Sequence, residues 1–322
     1  MNFSSLNGSS VVQSRDTFTA AVTKNVIVTA LCISINYING TLIHTFRKHE
    51  VFHSSSCYIL FIHLVINDMI QLIMATLLHI ISYALFTINV SLCIVLLILT
   101  LLATYNTPLN LAGMAVECYI AVCIPLRYKQ ICTVKNTFIL IGLIWVLSSF
   151  SILPDLFILM ATEQPQFFLS RQFCSRDYVF RSSYSLKKRD TSHIVCLTLV
   201  WLILLYTYFR IVFTARGATQ DVRKIRNTIL LHGFQLLLCM LTYVRPLFIK
   251  GLLYLLPKQL VNLRFASYVI VHIIPRFVSP IVYGLRDQNF RKHVKRYLLC
   301  KVSSRNHPEF VVSNTRRTMK LQ

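Results

Sequence analysis

The sequence predicts an all-α membrane protein: a bundle of seven transmembrane helices followed by a short amphipathic helix on the cytoplasmic side. Three observations carry this. Of the 322 residues, 55% are hydrophobic and only 14% are charged, whereas a soluble domain carries about a quarter charged residues. The apolar residues gather into stretches with almost no Lys, Arg, Asp or Glu, each near the roughly 20 residues a helix needs to cross a hydrocarbon core about 30 Å thick. The basic residues lie mostly between the stretches, and 33 Lys and Arg against 11 Asp and Glu leave a net charge of +22. Charge alone would suggest a nucleic-acid binder, but no such domain carries this much apolar surface. Disorder, collagen and a small disulfide scaffold are excluded on the same figures.

The spans follow in order. Residues 26–46 hold no charge, 58–84 hold only Asp68, and 93–116 hold none before Glu117, past which the helix is expected to continue. Residues 138–153 are clean, with Asp155 near their outer end, and so are 193–209. The sixth span is 228–244, and the seventh, 265–283, contains Arg276. Seven spans put the termini on opposite faces, and Lys and Arg in short loops mark the cytoplasmic one. With the N-terminus outside, 20 of the 33 basic residues lie inside, including Arg223, Lys224 and Arg226 before the sixth span, and ten more in the tail.

The loop after the fourth span dissents, with Arg171, Arg176, Arg181, Lys187, Lys188 and Arg189. Glycosylation acceptors decide for the same orientation, since Asn2, Asn7 and Asn89 begin Asn-X-Ser triplets on the proposed outer face. A fourth match, Asn39, sits inside the first span and is set aside. The expected organisation is an extracellular tail over 1–24, a seven-span transmembrane domain over 25–285 and a cytoplasmic tail over 286–322. In the tail an amphipathic helix over 287–299 places Phe290, Val294 and Leu298 on one face among cations, suited to an anionic inner leaflet. No signal peptide precedes residue 25, so the first span is expected to act as an uncleaved anchor. The protein is expected at the plasma membrane.

Of ten cysteines, most lie in spans or on the reducing side. Cys93, at the outer start of the third span, and Cys174, in the second outer loop, are the clear lumenal ones. We expect them to be joined, the alternative being two unpaired thiols. Cys300 is either a palmitoylation site or an ordinary thiol. Enzyme chemistry has no visible basis: there is no phosphate-cradling Gly-rich loop, no H-E-x-x-H and no G-x-S-x-G. His49 and His53 have the spacing of a metal pair but no further ligands nearby. No metal and no cofactor are expected.

The third span ends in Met114-Ala-Val-Glu-Cys-Tyr-Ile-Ala-Val-Cys-Ile-Pro-Leu-Arg-Tyr128. This resembles the M-A-x-D/E-R-Y-x-A-I-C-x-P-L-x-Y signature of odorant receptors in the rhodopsin-like G-protein-coupled family. Other landmarks agree in order: Asn39, Leu64-Val-Ile-Asn-Asp68, Cys93, Trp145, Tyr208, Lys224-Ile-Arg-Asn-Thr-Ile-Leu-Leu-His232 and Ser279-Pro-Ile-Val-Tyr283-Gly-Leu-Arg286. The resemblance spans about residues 25–300, and Asn36-Tyr-Ile-Asn-Gly-Thr and Leu230-Leu-His-Gly-Phe are most similar to fish odorant receptors. Three departures stand out. Cys118 replaces the Arg that contacts the G protein, which removes the usual ionic partner of Glu117. Ser279 replaces the Asn before Pro280, and the outer loop has one Cys where many relatives have three.

The resemblance implies a small odorant in the outer half of the bundle and a heterotrimeric G protein of olfactory type, raising cyclic AMP, at the inner face. It points to a ligand lining of Thr104, Tyr105, Cys196 and Tyr243, with Arg245 and His272 as further candidates. Signalling residues by the same resemblance are Asp68, Glu117, Cys118, Tyr119, Tyr208, Arg223, Lys224, Arg226, Arg276, Pro280 and Tyr283. Intramembrane charge is costly, about 2.5 to 3.5 kcal/mol per residue on insertion scales, so Arg276 is expected either to pair with Asp68 or to meet a water-filled cavity or loop carbonyls. The third span lacks an acid from Cys93 to Val116, which argues against an ammonium anchor, and the seventh lacks the Lys of a retinal Schiff base. Arg245 and the basic outer loop suggest an anionic odorant, an amino acid or organic acid. Two other classes remain: a related receptor for a non-olfactory ligand, and a transporter or channel. Against the last, the spans show no inverted repeat, and ligand-evoked cyclic AMP without current or uptake would decide.

Overall fold

The structure, a computed structural model, describes residues 18–84, 87–214, 230, 233, 234, 237 and 260–278. The sixth span apart from Leu230, Gly233, Phe234 and Leu237 lies outside the described residues, as do the tail helix 287–299, Cys300, Asn2, Asn7, Tyr243, Arg245, Arg223, Lys224, Arg226, Ser279, Pro280 and Tyr283.

Among the described residues the elements run α1 (Phe18–Lys48), a 3-10 turn (Glu50–Phe52), α2 (Ser56–Ala84), β1 (Ile88–Asn89) and α3 (Val90–Cys123). Then come α4 (Pro125–Ile131), α5 (Val134–Thr162), α6 (Pro165–Leu169), β2 (Arg171–Gln172), α7 (Arg176–Val179) and α8 (Ser183–Thr214). The last is α9 (Leu260–Tyr268), which passes into one π turn (Val269–Ile273). Five helices are long and apolar enough to cross a membrane, Thr19–Lys48, Ser56–Ile81, Val90–Cys123, Val134–Thr162 and Ile194–Thr214, and Phe265–Val278 is a shorter apolar one. These correspond to the first five and the seventh of the expected spans.

Local signals set the ends. Asn89 caps α3 by accepting the Ser91 N–H at 2.9 Å, and Thr133 caps α5 by accepting that of Asn136 at 3.2 Å, so orphan donors of the first turn are satisfied. Pro125 opens α4 and Pro165 opens α6, where a missing N–H costs nothing. Arg47 and Lys48 close α1, favourable at the negative end of a helix.

Most helices outrun their apolar windows. The largest difference is α8, which begins at Ser183 where hydropathy places its start near residue 193. Lys187, Lys188 and Arg189, expected in the outer loop, are therefore helical. Polar first turns above the hydrocarbon are invisible to a hydropathy window.

The helices α2 and α3 form the centre, each with half of its apolar window buried, against about a fifth for α1 and α5. The main cluster joins Leu60, Leu64 and Val65 of α2, Leu111, Met114 and Ala115 of α3, and Val200 and Leu204 of α8. Side chains such as Ile33, Phe150 and Ile194 are about two-thirds exposed and face the lipid. At Gly113 a Cβ would lie 3.3 Å from Leu140 Cδ2, so α3 and α5 approach closely there.

A lattice of polar contacts crosses the centre. Asn67 donates to the Ala103 carbonyl at 2.9 Å and Thr107 Oγ1 at 3.0 Å. Asn110 donates to the Leu60 carbonyl at 3.2 Å. Trp145 Nε1 donates to His63 Nε2 at 3.0 Å, Ser148 donates to Asn106 Oδ1 at 3.2 Å, and Ser56 donates to the Cys132 carbonyl at 2.7 Å while accepting from Thr137 at 2.8 Å. With lipid around it, a helix has no water to satisfy such groups, so they pair across helices.

Candidate functional site

One end of the bundle is closed by the loop between α5 and α8, the expected second outer loop. Cys93 and Cys174 form the expected disulfide, with Cα atoms 5.6 Å apart. The antiparallel pair Ile88↔Gln172 and Asn89↔Arg171 and the Ser91 Oγ bond to the Phe168 carbonyl, 2.8 Å, lay the loop on the start of α3. Val90, Ile94, Leu97, Leu159, Val179 and Phe180 pack beneath it. Asn89 is both a strand residue and a helix cap.

Beneath the loop lies a charged cluster. Asp155 of α5, 4% exposed, accepts Lys188 Nζ of α8 at 3.1 Å and faces Arg176 Nη2 of α7 at 3.7 Å. Lys188 also donates to the Ser151 carbonyl at 3.2 Å. Tyr105 of α3, 2% exposed, hydrogen-bonds with Ser192 of α8 and with Arg176. Farther out, Arg181 grips Glu163 with two nitrogens, at 2.9 and 2.7 Å, and that hydrogen bonding holds the Glu163 carboxyl below the usual carboxylate value. Arg181 also lies 5.0 Å over the Phe167 ring.

The expected ligand residues divide among seams. Tyr105 turns to α7 and α8, and Cys196, one turn below Ser192, is half-buried beside the central cluster. Thr104, one residue before Tyr105, turns to α2 and accepts Gln71 Nε2 at 2.8 Å. His272 lies in a third seam, its ring 5.3 Å from that of Tyr268, which stacks on His79 at 4.3 Å and meets Thr76 Oγ1 at 3.2 Å. At the rim of that seam Lys24 donates to Asn262 Oδ1 at 2.8 Å. Sequence reading missed Arg176, Lys188, Ser192, Gln71 and His79 as site residues. Asp155 was the available signal, because an acid at the end of an apolar span requires a partner.

Of the outcomes expected for Arg276 at mid-membrane, the ion pair with Asp68 is not formed and a backbone carbonyl takes the guanidinium. Both residues are 2% exposed, but Arg276 Nη1 donates to the Val271 carbonyl at 3.0 Å. The physical reason lies in the next residue. Pro275 stands where the i+4 donor to Val271 would be and has no N–H. The helix responds with a π turn over Val269–Ile273, and the guanidinium supplies the missing donor. A double-mutant cycle tests this: Arg276→Met should cost about 1 to 2 kcal/mol more in the native sequence than in a Pro275→Ala background. Equal costs, measured by thermal unfolding, would place the role of Arg276 elsewhere.

At the inner end the Glu117 carboxylate accepts the Tyr128 hydroxyl of α4 at 2.6 Å and lies 3.8 Å from Cys118 Sγ. Burial and the Glu117 charge push Tyr128 well above its ordinary pKa, and the same two causes push the Cys132 thiol up to about 11. Cys118, 2% exposed, packs on Ile211 of α8 with Tyr119 and Tyr208 around them. The tyrosine that closes the quoted motif thus occupies the carboxylate that has lost its arginine.

The comparisons with known proteins agree with this architecture. Residues 38–283 match the family "7 transmembrane receptor (rhodopsin family)". The chain belongs to that family: it is a multi-pass membrane receptor of the G-protein-coupled kind and not an enzyme. It is similar to Odorant receptor 131-2 of Danio rerio, 30% identical over 284 residues that cover 87% of each chain. It is also similar to Melatonin receptor type 1C of Xenopus laevis, 24% identical over 63% of this chain and 50% of that one. A QRFP-like peptide receptor of Branchiostoma floridae is 26% identical over 67% and 61%.

Proposed function

We propose that the chain is an odorant receptor of the plasma membrane, with its N-terminus outside and glycans on Asn2, Asn7 and Asn89. A small odorant enters the outer half of the bundle and meets Thr104, Tyr105, Cys196, Tyr243, Arg245 and His272. Its binding shifts a two-state equilibrium that Asp68, Arg276, Pro280 and Tyr283 transmit. The inner face, with Glu117, Cys118, Tyr119, Tyr208, Arg223, Lys224 and Arg226, engages an olfactory G protein and raises cyclic AMP. The observation that carries the reading is the similarity to a fish odorant receptor along 87% of both chains. The matches to melatonin receptors, shorter and weaker, favour a receptor for a non-olfactory small molecule as the second reading.

An odorant panel and melatonin, applied to cells expressing the chain with an olfactory G protein, separate the two. Odorants are expected to evoke cyclic AMP and melatonin none. Cys118→Arg should raise the evoked signal about tenfold, the size of a typical coupling free energy, by restoring the arginine the resemblance associates with G-protein contact. Silence of both proteins to every odorant, with receptor at the cell surface, would overturn the olfactory reading.

A further inference from the structure

We propose that Arg176 anchors a carboxylate group of the ligand, with the Tyr105 hydroxyl as a second donor. The proposal rests on the odorant-receptor reading and gives its ligand a chemical class, small organic acids.

Charge is the first argument. Asp155 is the one acid that the described ion pairs bring to the cluster, and it is shared between two cations. Among the described side chains of the wider outer region, Arg171, Arg176, Arg181 and Lys188 stand against two acids, Asp155 and Glu163. Positive charge is therefore in surplus where the loop meets the bundle, in surroundings of low dielectric where that surplus attracts an anion strongly.

Geometry is the second. Asp155 holds Lys188 at 3.1 Å but Arg176 only at 3.7 Å and through one nitrogen. A guanidinium is built for two parallel bonds to a carboxylate, as Arg181 shows with Glu163. A ligand carboxylate offers Arg176 the fit that Asp155 does not. When Arg176 turns to the ligand, Asp155 keeps Lys188, so no buried carboxylate is stranded. Tyr105, already hydrogen-bonded to Arg176, stands where its hydroxyl donates to the second oxygen.

Position is the third. The disulfide fixes Cys174 to the head of α3, and Arg176 follows two residues later at the start of α7. The anchor is thus pinned in place before ligand arrives, which lowers the ordering cost of binding. It also touches α3, α5 and the loop at once, so a ligand that takes it acts on several elements together.

The test uses the full-length receptor, purified for thermal unfolding and expressed in cells for cyclic AMP. The probes are a mixture of straight-chain, branched and aromatic carboxylates, and matched mixtures of the corresponding alcohols and amines. The acids should raise the unfolding temperature and evoke the signal; the alcohols and amines should do neither. Arg176→Gln should weaken the response to acids about 10- to 100-fold, the loss of a charge-assisted pair, and Arg176→Lys should restore part of it. Tyr105→Phe, which keeps the packing, should weaken it about fivefold. An Arg176→Gln receptor that folds and answers acids like the native one overturns the proposal. So do alcohols or amines that match the acids, or the absence of any thermal shift with acids. Acids that shift the unfolding temperature without cyclic AMP leave the anchor standing and overturn the olfactory reading alone.

Discussion

Replacing Asp155 with alanine is expected to destabilise the receptor by about 3 kcal/mol. Removing one member of a buried ion pair costs about 3 to 5 kcal/mol because the partner is left charged and unsolvated. The lower figure applies here because the Lys188 and Arg176 side chains keep 21% and 17% of their surface accessible. The loss has two parts. Lys188 loses its only described acid, and Lys188 and Arg176 then repel across the gap. Asp155→Asn should cost less, since an amide oxygen still accepts from Lys188 Nζ. The check is the unfolding temperature of purified protein together with the surface fraction in cells. If Asp155→Lys were tolerated as well as Asp155→Asn, the cluster would not be holding α5 to α8.

A comparable loss is expected for the disulfide. The bond closes 81 residues of sequence, for which the chain-entropy relation gives about 4.5 kcal/mol at 25 °C. This is an upper figure, because α3 and α5 are already confined by the bilayer before the loop docks. Cys93→Ser, Cys174→Ser and the double substitution should lower the unfolding temperature by the same amount, since each breaks the same bond. Reduction with dithiothreitol should bring the native protein to that value and leave the variants unmoved. Additive losses would show that each thiol has a separate packing role.

The spans were legible because a bilayer imposes a length and a composition that survive in the sequence. Asn39, Cys93 and the stretch from Met114 to Tyr128 were legible by resemblance. What escaped were contacts decided by three-dimensional direction. Thr104 and Tyr105 are neighbours in sequence but point about 100° apart on a helix, so one meets Gln71 and the other Arg176. For Arg276 the alternatives of Asp68 or a carbonyl stayed open in the sequence, and Pro275, whose lost N–H leaves the Val271 carbonyl to be satisfied, decides for the carbonyl. Lys188 read as loop charge because nothing in composition says that a helix begins at Ser183. Glu117 was expected to lack its partner, and Tyr128 was visible in the same motif. Its reach back across the start of α4 depends on a turn at Ile124 that no pattern announces.

The polar lattice between α2, α3 and α5 has a mechanical meaning. Among the described residues, the buried cross-bonds of Asn67, Asn110, Trp145 and Ser148, and that of Thr137 to Ser56, fall within those three helices. The middle of the contact between α3 and α8 is apolar, through Val200, Leu204 and Ile211. Among the described residues its polar contacts lie toward the two ends, Tyr105 with Ser192 at one, and Arg210 with Tyr119 and Cys123 Sγ with Thr214 Oγ1 at 3.5 Å at the other. Apolar packing is non-directional and can slide by small shear steps, whereas a hydrogen bond loses its geometry at once. Three helices therefore form a stator, and α8, fastened to it where Lys188 meets Asp155, works as a rotor along the apolar stretch beyond that point. Amide exchange should follow the same division, slow across the stator and faster along the C-terminal turns of α8.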